Sequence, residues 1–286
     1  MAFGETTFIS HGSSGLPSPS VWGDCPNERL LHDGMGYYVH RDGLGGLTSL
    51  PGLRTDSDSE TFAYDDGTNG DNRTVNATTG STDNNSLAML TSAMAKMVKN
   101  GNNRLWFEAD IALAEIADQA VFVGLAEQAT LDRDIVSDNP GNDSQAGLSD
   151  NDLVGFVSQQ NSSSTNKFDA VYRQKGDNVQ TVLADVGNAS AFSPGTATGV
   201  AVDRDQTTAT KPGDLSADQF VRFGVRFNGR TKVLFFVNGL KVAEQELDSG
   251  FPQDDEMGGI VAIKTGAASA RTLRYRFIRT AAQVSH

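Results

Sequence analysis

Residues 220–247 read FVRFGVRFNGRTKVLFFVNGLKVAEQEL. In the first run Val221, Phe223, Val225 and Phe227 alternate with Arg222, Gly224 and Arg226, so one face is expected in a core and the other basic and wet. The next run, Lys232 to Val237, is apolar on both faces. That is the pattern of a central strand whose outer face is also covered, by a loop, an arm or a neighbour. Asn228-Gly229 and Asn238-Gly239 supply the positive φ that tight hairpin turns require. Three antiparallel strands joined by two turns are therefore predicted.

The same pattern recurs upstream and downstream. Runs rich in β-branched and aromatic residues lie at 60–65, 87–93, 104–113, 120–126, 153–159, 168–174, 179–185, 259–265 and 272–279, separated by Gly, Asn, Asp and Ser clusters. Such an alternation, with few helical windows, predicts an all-β protein, an antiparallel β-sandwich over 54–286. Leu87 to Val98 also fits a helical period through Leu87, Leu90, Met94, Met97 and Val98, so strand and helix both stay open there. The polar stretches 66–85, 138–152 and 186–219 read as loops longer than ordinary hairpins need.

Residues 1–53 differ in kind. They hold 10 of the 30 Gly and 4 of the 8 Pro, and show no sustained period. Phe3, Phe8, Trp22, Tyr37 and Tyr38 are nevertheless too many large apolar groups for a segment that stays in water. An extended N-terminal arm is expected, lying either on its own sandwich or on a neighbouring subunit.

The formal net charge of −13 argues against nucleic acid or an anionic membrane as partner. No apolar run approaches the roughly 20 residues of a spanning helix. Cys25 is the single cysteine, so no intrachain disulfide forms. The N-terminus lacks the charged-then-apolar layout of a secretory signal, and maturation in a cytoplasm is expected.

The meander Phe223-x-Val225-x-Phe227-Asn228-Gly229, followed by an apolar strand closing on Val237-Asn238-Gly239, resembles the concanavalin A-like lectin/glucanase sandwich, laminin G-type modules included. The resemblance implies two curved sheets in a jelly roll, a groove on one of them, and sugar or protein as ligand. The laminarinase-like hydrolases it includes carry Glu-x-Asp-x-Glu on one strand, where alternate carboxylates about 5 Å apart act as nucleophile and acid/base. Here Glu108 and Asp110 would share the wet face of a strand, but Ala112 holds the third place. No catalysis and no cofactor are expected.

Asp138, Asp143, Asp150 and Asp152 have Ca²⁺-type oxygens, but their spacing matches no EF-hand, so a solvated loop and no metal site are expected. Trp106 alternates with Glu108 and Asp110 and reads either as core or as a sugar platform on their face. In Thr272 to Arg279, Leu273, Tyr275 and Phe277 read as the buried face, with Arg274 and Arg276 on the other. No acidic residue occurs from Gly266 to Ala282. The two arginines either pair with acidic cross-strand neighbours or form a docking edge.

Meander, arm, missing signal and missing acid pair together resemble the jelly-roll decoration or cement proteins of tailed-phage heads. The expectation is a non-enzymatic virion structural protein on the capsid surface, made in the host cytoplasm, with the major capsid protein and itself, as a homo-oligomer, for partners. Phe3, Phe8, Trp22, Tyr37, Tyr38, Arg274 and Arg276 are its expected contact residues. The alternative is a carbohydrate-binding module of adhesin or lectin-like kind. A third reading is a hydrolase of that fold that has lost or rearranged its acid pair.

Overall fold

The computed structural model describes residues 19–22, 25, 37–41, 54–57, 60–65, 74–127, 135–136, 148–160, 168–186, 217–253 and 255–283. One helical turn, α1 (Pro19–Trp22), precedes the strands β1 (Tyr37–Arg41), β2 (Arg54–Ser57), β3 (Glu60–Asp65), β4 (Thr74–Thr79), β5 (Ser86–Lys96), β6 (Arg104–Leu113) and β7 (Gln119–Glu127). There follow β8 (Leu153–Gln160), β9 (Phe168–Arg173), β10 (Gln180–Val186), β11 (Val221–Phe227), β12 (Lys232–Val237), β13 (Leu240–Glu246), β14 (Glu256–Thr265) and β15 (Thr272–Gln283). Sheet A runs β13-β12-β11-β6-β15-β4-β3, and sheet B runs β10-β9-β8-β7-β14-β5-β2. All pairings are antiparallel, and the architecture is the expected all-β sandwich.

Alternation decides which side chains meet between the sheets. Phe223 of β11 and Phe235 of β12 project from sheet A onto Phe156 of β8, with ring centroids 4.9 and 5.7 Å away. Phe168 of β9 closes the cluster at 4.6 Å from Phe223. β7 is buried along its whole length. Val121, Val123 and Leu125 enter the main core, while Ala120, Phe122 and Ala126 lie under Ile135, Val136 and Leu148 on the outer face of sheet B. The Lys264 ammonium donates to the Val136 carbonyl at 3.1 Å and helps hold that cover down.

Sheet A also has a covered outer face. Val21 and Trp22 of α1 pack there with Trp106 of β6, Phe236 of β12 and Ala281 of β15. This explains why the β12 run is apolar on both sides, and the cover is a piece of the arm. Gly224 makes the approach geometrically feasible: a Cβ there would stand 2.7 Å from a Val21 methyl. The Ser20 hydroxyl donates to the Gly239 carbonyl, and Arg226 donates to the Ser20 carbonyl at 3.1 Å. A second piece of the arm, β1, pairs with the far end of β15, Tyr37 facing Gln283 and Tyr38 facing Ala282, beyond the point where β4 leaves it.

Several expectations are corrected. The choice left open at 87–98 resolves to strand as far as Lys96, because β5 lies between β14 and β2, where alternation through Leu87, Met89 and Ala88, Leu90 serves two covered faces. β4 lies inside the run read as loop; its Thr-Val-Asn-Ala-Thr-Thr sequence is polar because only Val75 and Ala77 face the core. Only one of the two Asn-Gly pairs makes a tight two-residue turn. Asn238 and Gly239 have φ of 48° and 78°. Asn228 instead opens a wider loop, its side-chain oxygen accepting from the N–H groups of Arg230, Thr231 and Lys232 at 2.9, 3.0 and 3.1 Å. Gly239→Ala is expected to cost about 1–2 kcal/mol, since an L side chain is strained at that φ. Urea unfolding of the variant checks this, and an unchanged midpoint would contradict it.

Candidate functional site

Extended strands present alternate side chains, so the register of β6 with its two neighbours lays out a grid on the outer face of sheet A. On one flank Arg222 faces Asp110, Gly224 faces Glu108 and Arg226 faces Trp106. On the other flank Phe277 faces Asp110, Arg279 faces Glu108 and Ala281 faces Trp106. A bulge between Tyr275 and Phe277 produces this second row. It turns Phe277 away from the core, where strict alternation had placed it, and leaves Arg274, Arg276 and Arg279 all on the outer face.

Glu108 and Asp110 do share a face, but it is not the wet one: they are 0% and 3% exposed. The indole Nε1–H of Trp22 donates to Glu108 Oε2 at 2.7 Å. Asp110 Oδ2 lies 3.6 Å from Arg276 Nη1 and 3.8 Å from Arg222 Nη2. Burial explains both engagements, because a carboxylate removed from water needs a charged or hydrogen-bonding partner. Burial pushes the Asp110 carboxyl above its ordinary value, and Arg222, Arg276 and Arg279 offset this only in part.

The sign of the pH effect follows. A carboxyl whose folded pKa is raised contributes stability that is present below the unfolded value, about 3.9, and is lost as pH rises through the folded one. Wild type is therefore expected to lose stability relative to Asp110→Asn as pH climbs from about 4. Paired thermal melts across the acid range check this. A difference that runs the other way would contradict the assignment.

The upper end of the face is arginine-rich. Arg274 Nη1 meets Asp218 Oδ1 at 2.7 Å, with side chains 33% and 55% exposed. Asp218 sits at φ 60° and its N–H donates to the Leu113 carbonyl, which pins its backbone to the end of β6. The Arg276 guanidinium lies 3.7 Å above the half-buried Phe220 ring, while Arg279 lies 4.3 Å above Phe277. Trp106 is on the face of the two carboxylates, as one reading had it, and is fully buried, as the other had it.

Trp22, Arg274 and Arg276 thus lie on one sheet face, Trp22 as the last residue of α1 and the arginines beyond it. β1 brings Tyr37 and Tyr38 to the edge of β15. Phe3 and Phe8 lie outside the described residues. Sequence reasoning missed Asp218, Phe220 and Arg222 as members of the site. The alternating Arg222 was a usable signal; Asp218 had none. Of the acidic loop, Asp150 accepts from Gly176 N and Arg173 Nη2 at 2.8 and 2.6 Å, and Asp152 accepts from Lys175 N at 2.6 Å. The Gly176 N–H, with Arg173 beside it, holds Asp150 below its ordinary value. Both carboxylates tie the loop to the β9–β10 turn. Asp138 and Asp143 lie outside the described residues.

No family model and no curated protein matches the sequence. Among solved structures, the carbohydrate recognition domain of Emp46p superposes with a TM-score of 0.51 at 6% identity over 84% of this chain and 95% of its own. That of Emp47p gives 0.50 at 9% identity over 85% and 94%. The CBM2 module of the evolved Dit of Lactobacillus casei BL23 phage J-1 gives 0.49 at 10% identity over 87% and 99%. Identities this low speak to architecture alone. The chain folds as a concanavalin A-like sandwich.

Proposed function

We propose that this chain is a non-catalytic carbohydrate-binding module that takes its ligand on the arginine-rich end of the outer face of sheet A. The observation that carries this reading is the state of the carboxylate pair. A retaining glycosidase needs two carboxyl groups open to one glycosidic bond. Here Glu108 is buried on the Trp22 indole, Asp110 is buried between Arg222 and Arg276, and the third place is Ala112. Glu108 holds the Trp22 indole and Asp110 holds two guanidiniums, and the groups at the rim that can bind are Arg274 and the half-buried Phe220 ring, with Arg276 packed on that ring. The same sandwich serves carbohydrate recognition in Emp46p and Emp47p.

The test is calorimetric titration of the full chain with neutral and acidic oligosaccharides, run beside an assay for reducing ends. Saturable binding without cleavage is expected. Release of reducing ends from β-glucan that Glu108→Gln abolishes would overturn the non-catalytic reading.

A second reading, a decoration protein on a capsid lattice, drew on an arm that reaches a neighbour. The described parts of the arm, α1 and β1, lie on this chain's own sheet A, so it takes second place. One observation still favours it: Phe62, on the edge strand β3, is 36% exposed and offers an apolar contact to another subunit. Sedimentation with purified capsids tests it, with Phe62→Asp expected to weaken association if this reading holds.

A further inference from the structure

We propose that the ligand is an acidic sugar, a uronate, whose carboxylate binds Arg274 in place of the Asp218 side chain, beside Arg276 and Phe220. This rests on the carbohydrate reading and names the ligand class within it.

The first support is chemical. In the free protein the Arg274 guanidinium already holds a carboxylate, that of Asp218, at 2.7 Å. Asp218 is 55% exposed and Arg274 33%, so water partly screens the pair and a ligand carboxylate can exchange with the Asp218 side chain. A planar guanidinium matches a carboxylate in geometry as well as charge, and this separates a uronate from a neutral sugar.

The second support is unmet hydrogen-bonding capacity beside Arg274. Among the described residues, the Nε–H of Arg274, the Nε–H of Arg276 and Oδ1 of Asn76, which faces Arg274 from β4, are buried without a hydrogen bond, as are the Nε–H groups of Arg173, Arg226 and Arg271. Buried polar groups are ordinarily satisfied, and each exception calls for an explanation. Those of Arg274, Arg276 and Asn76 adjoin one partly exposed guanidinium. The third support is Phe220, whose half-buried ring under Arg276 sets an apolar surface next to the charge, as an amphipathic sugar ring requires.

The net charge of −13 opposes any anionic ligand at long range. At physiological salt the Debye length is about 8 Å, so that repulsion is largely screened while a contact at hydrogen-bond distance is not. The acidic chain therefore lowers the capture rate more than the affinity.

The experiment uses the full chain at physiological salt and three probes: a short oligogalacturonate, its carboxyl-reduced neutral counterpart, and polyglutamate of matched length. The oligogalacturonate is expected to bind, and the other two to bind at least roughly tenfold more weakly. Arg274→Ala is expected to weaken uronate binding roughly tenfold or more. Arg274→Lys, which keeps the charge and loses the planar fork, should fall between. Asp218→Asn keeps a residue that tolerates positive φ while removing the competing charge, and should tighten uronate binding roughly two- to fivefold. Melting curves of each variant separate lost binding from lost folding. Equal binding of the reduced sugar, or uronate binding indifferent to Arg274→Lys and to Asp218→Asn, would overturn the inference and leave the carbohydrate reading standing. Binding of polyglutamate as tight as that of uronate, or of neither sugar, would remove both.

Discussion

Replacing Phe223 by Ala is expected to lower the unfolding free energy by about 3–5 kcal/mol, the range for a fully buried ring. Phe223 is 0% exposed and joins the two sheets, its ring meeting Phe156 and Phe168 of sheet B at 4.9 and 4.6 Å. Truncation leaves a cavity that neither sheet can close, because each is held by its own ladder. For a chain of this size the melting temperature should fall by roughly 5–10 °C. Phe223→Leu, which keeps most of the volume, should cost markedly less. A loss under about 1 kcal/mol for the Ala variant would mean that the ring is not in the core.

Trp22→Ala is expected to be comparably damaging although the residue belongs to the Gly-rich N-terminal segment. It removes an indole packed on Trp106 and Phe236, and it also removes the donor to buried Glu108. The burial contribution is about 3–5 kcal/mol, and loss of this donor to a buried carboxyl adds about 1–3. Trp22→Phe isolates the second part, since it keeps an aromatic ring and loses the N–H. That variant also leaves Trp106 as the only tryptophan, so its emission reports whether the outer face of sheet A is still covered. Global unfolding measured by denaturant should shift in both variants. A change in Trp106 emission with no shift in the unfolding midpoint would show that α1 undocks without the sandwich depending on it.

The fold was legible where alternation is strict. Arg104 to Leu113 was bounded to the residue, and Phe223, Val225, Phe227, Val233, Phe235 and Val237 all lie in the main core. It was not legible in β4, whose outward residues are Asn and Thr, so that two buried positions sit in a run with the composition of a loop. The site was half legible. Spacing placed Glu108 and Asp110 on one face, and composition marked Trp22, Arg274 and Arg276. Their burial was hidden, because it depends on α1 landing on Gly224, a contact between residues far apart in the chain. The bulge at Arg276 was hidden too, since nothing in Arg-Tyr-Arg-Phe-Ile-Arg shows where the alternation slips. Asp218 enters the site only through the fold, by the bond that pins it to Leu113.

The order of strands in sheet A bears on how the protein is made. Its central strand β6, at 104–113, is flanked by β11, at 221–227, and β15, at 272–283. During synthesis β6 leaves the ribosome long before either partner exists, with both edges open. Contacts this distant in sequence place the chain among slow folders, on the scale of milliseconds to seconds or longer. Through that interval a strand carrying Leu105, Phe107, Ala109 and Ile111 on one side would be an attractive template for aggregation. Glu108 and Asp110 on its other side put two carboxyl groups into that open strand, the composition that disfavours such pairing, before they become buried partners of Trp22 and the arginines.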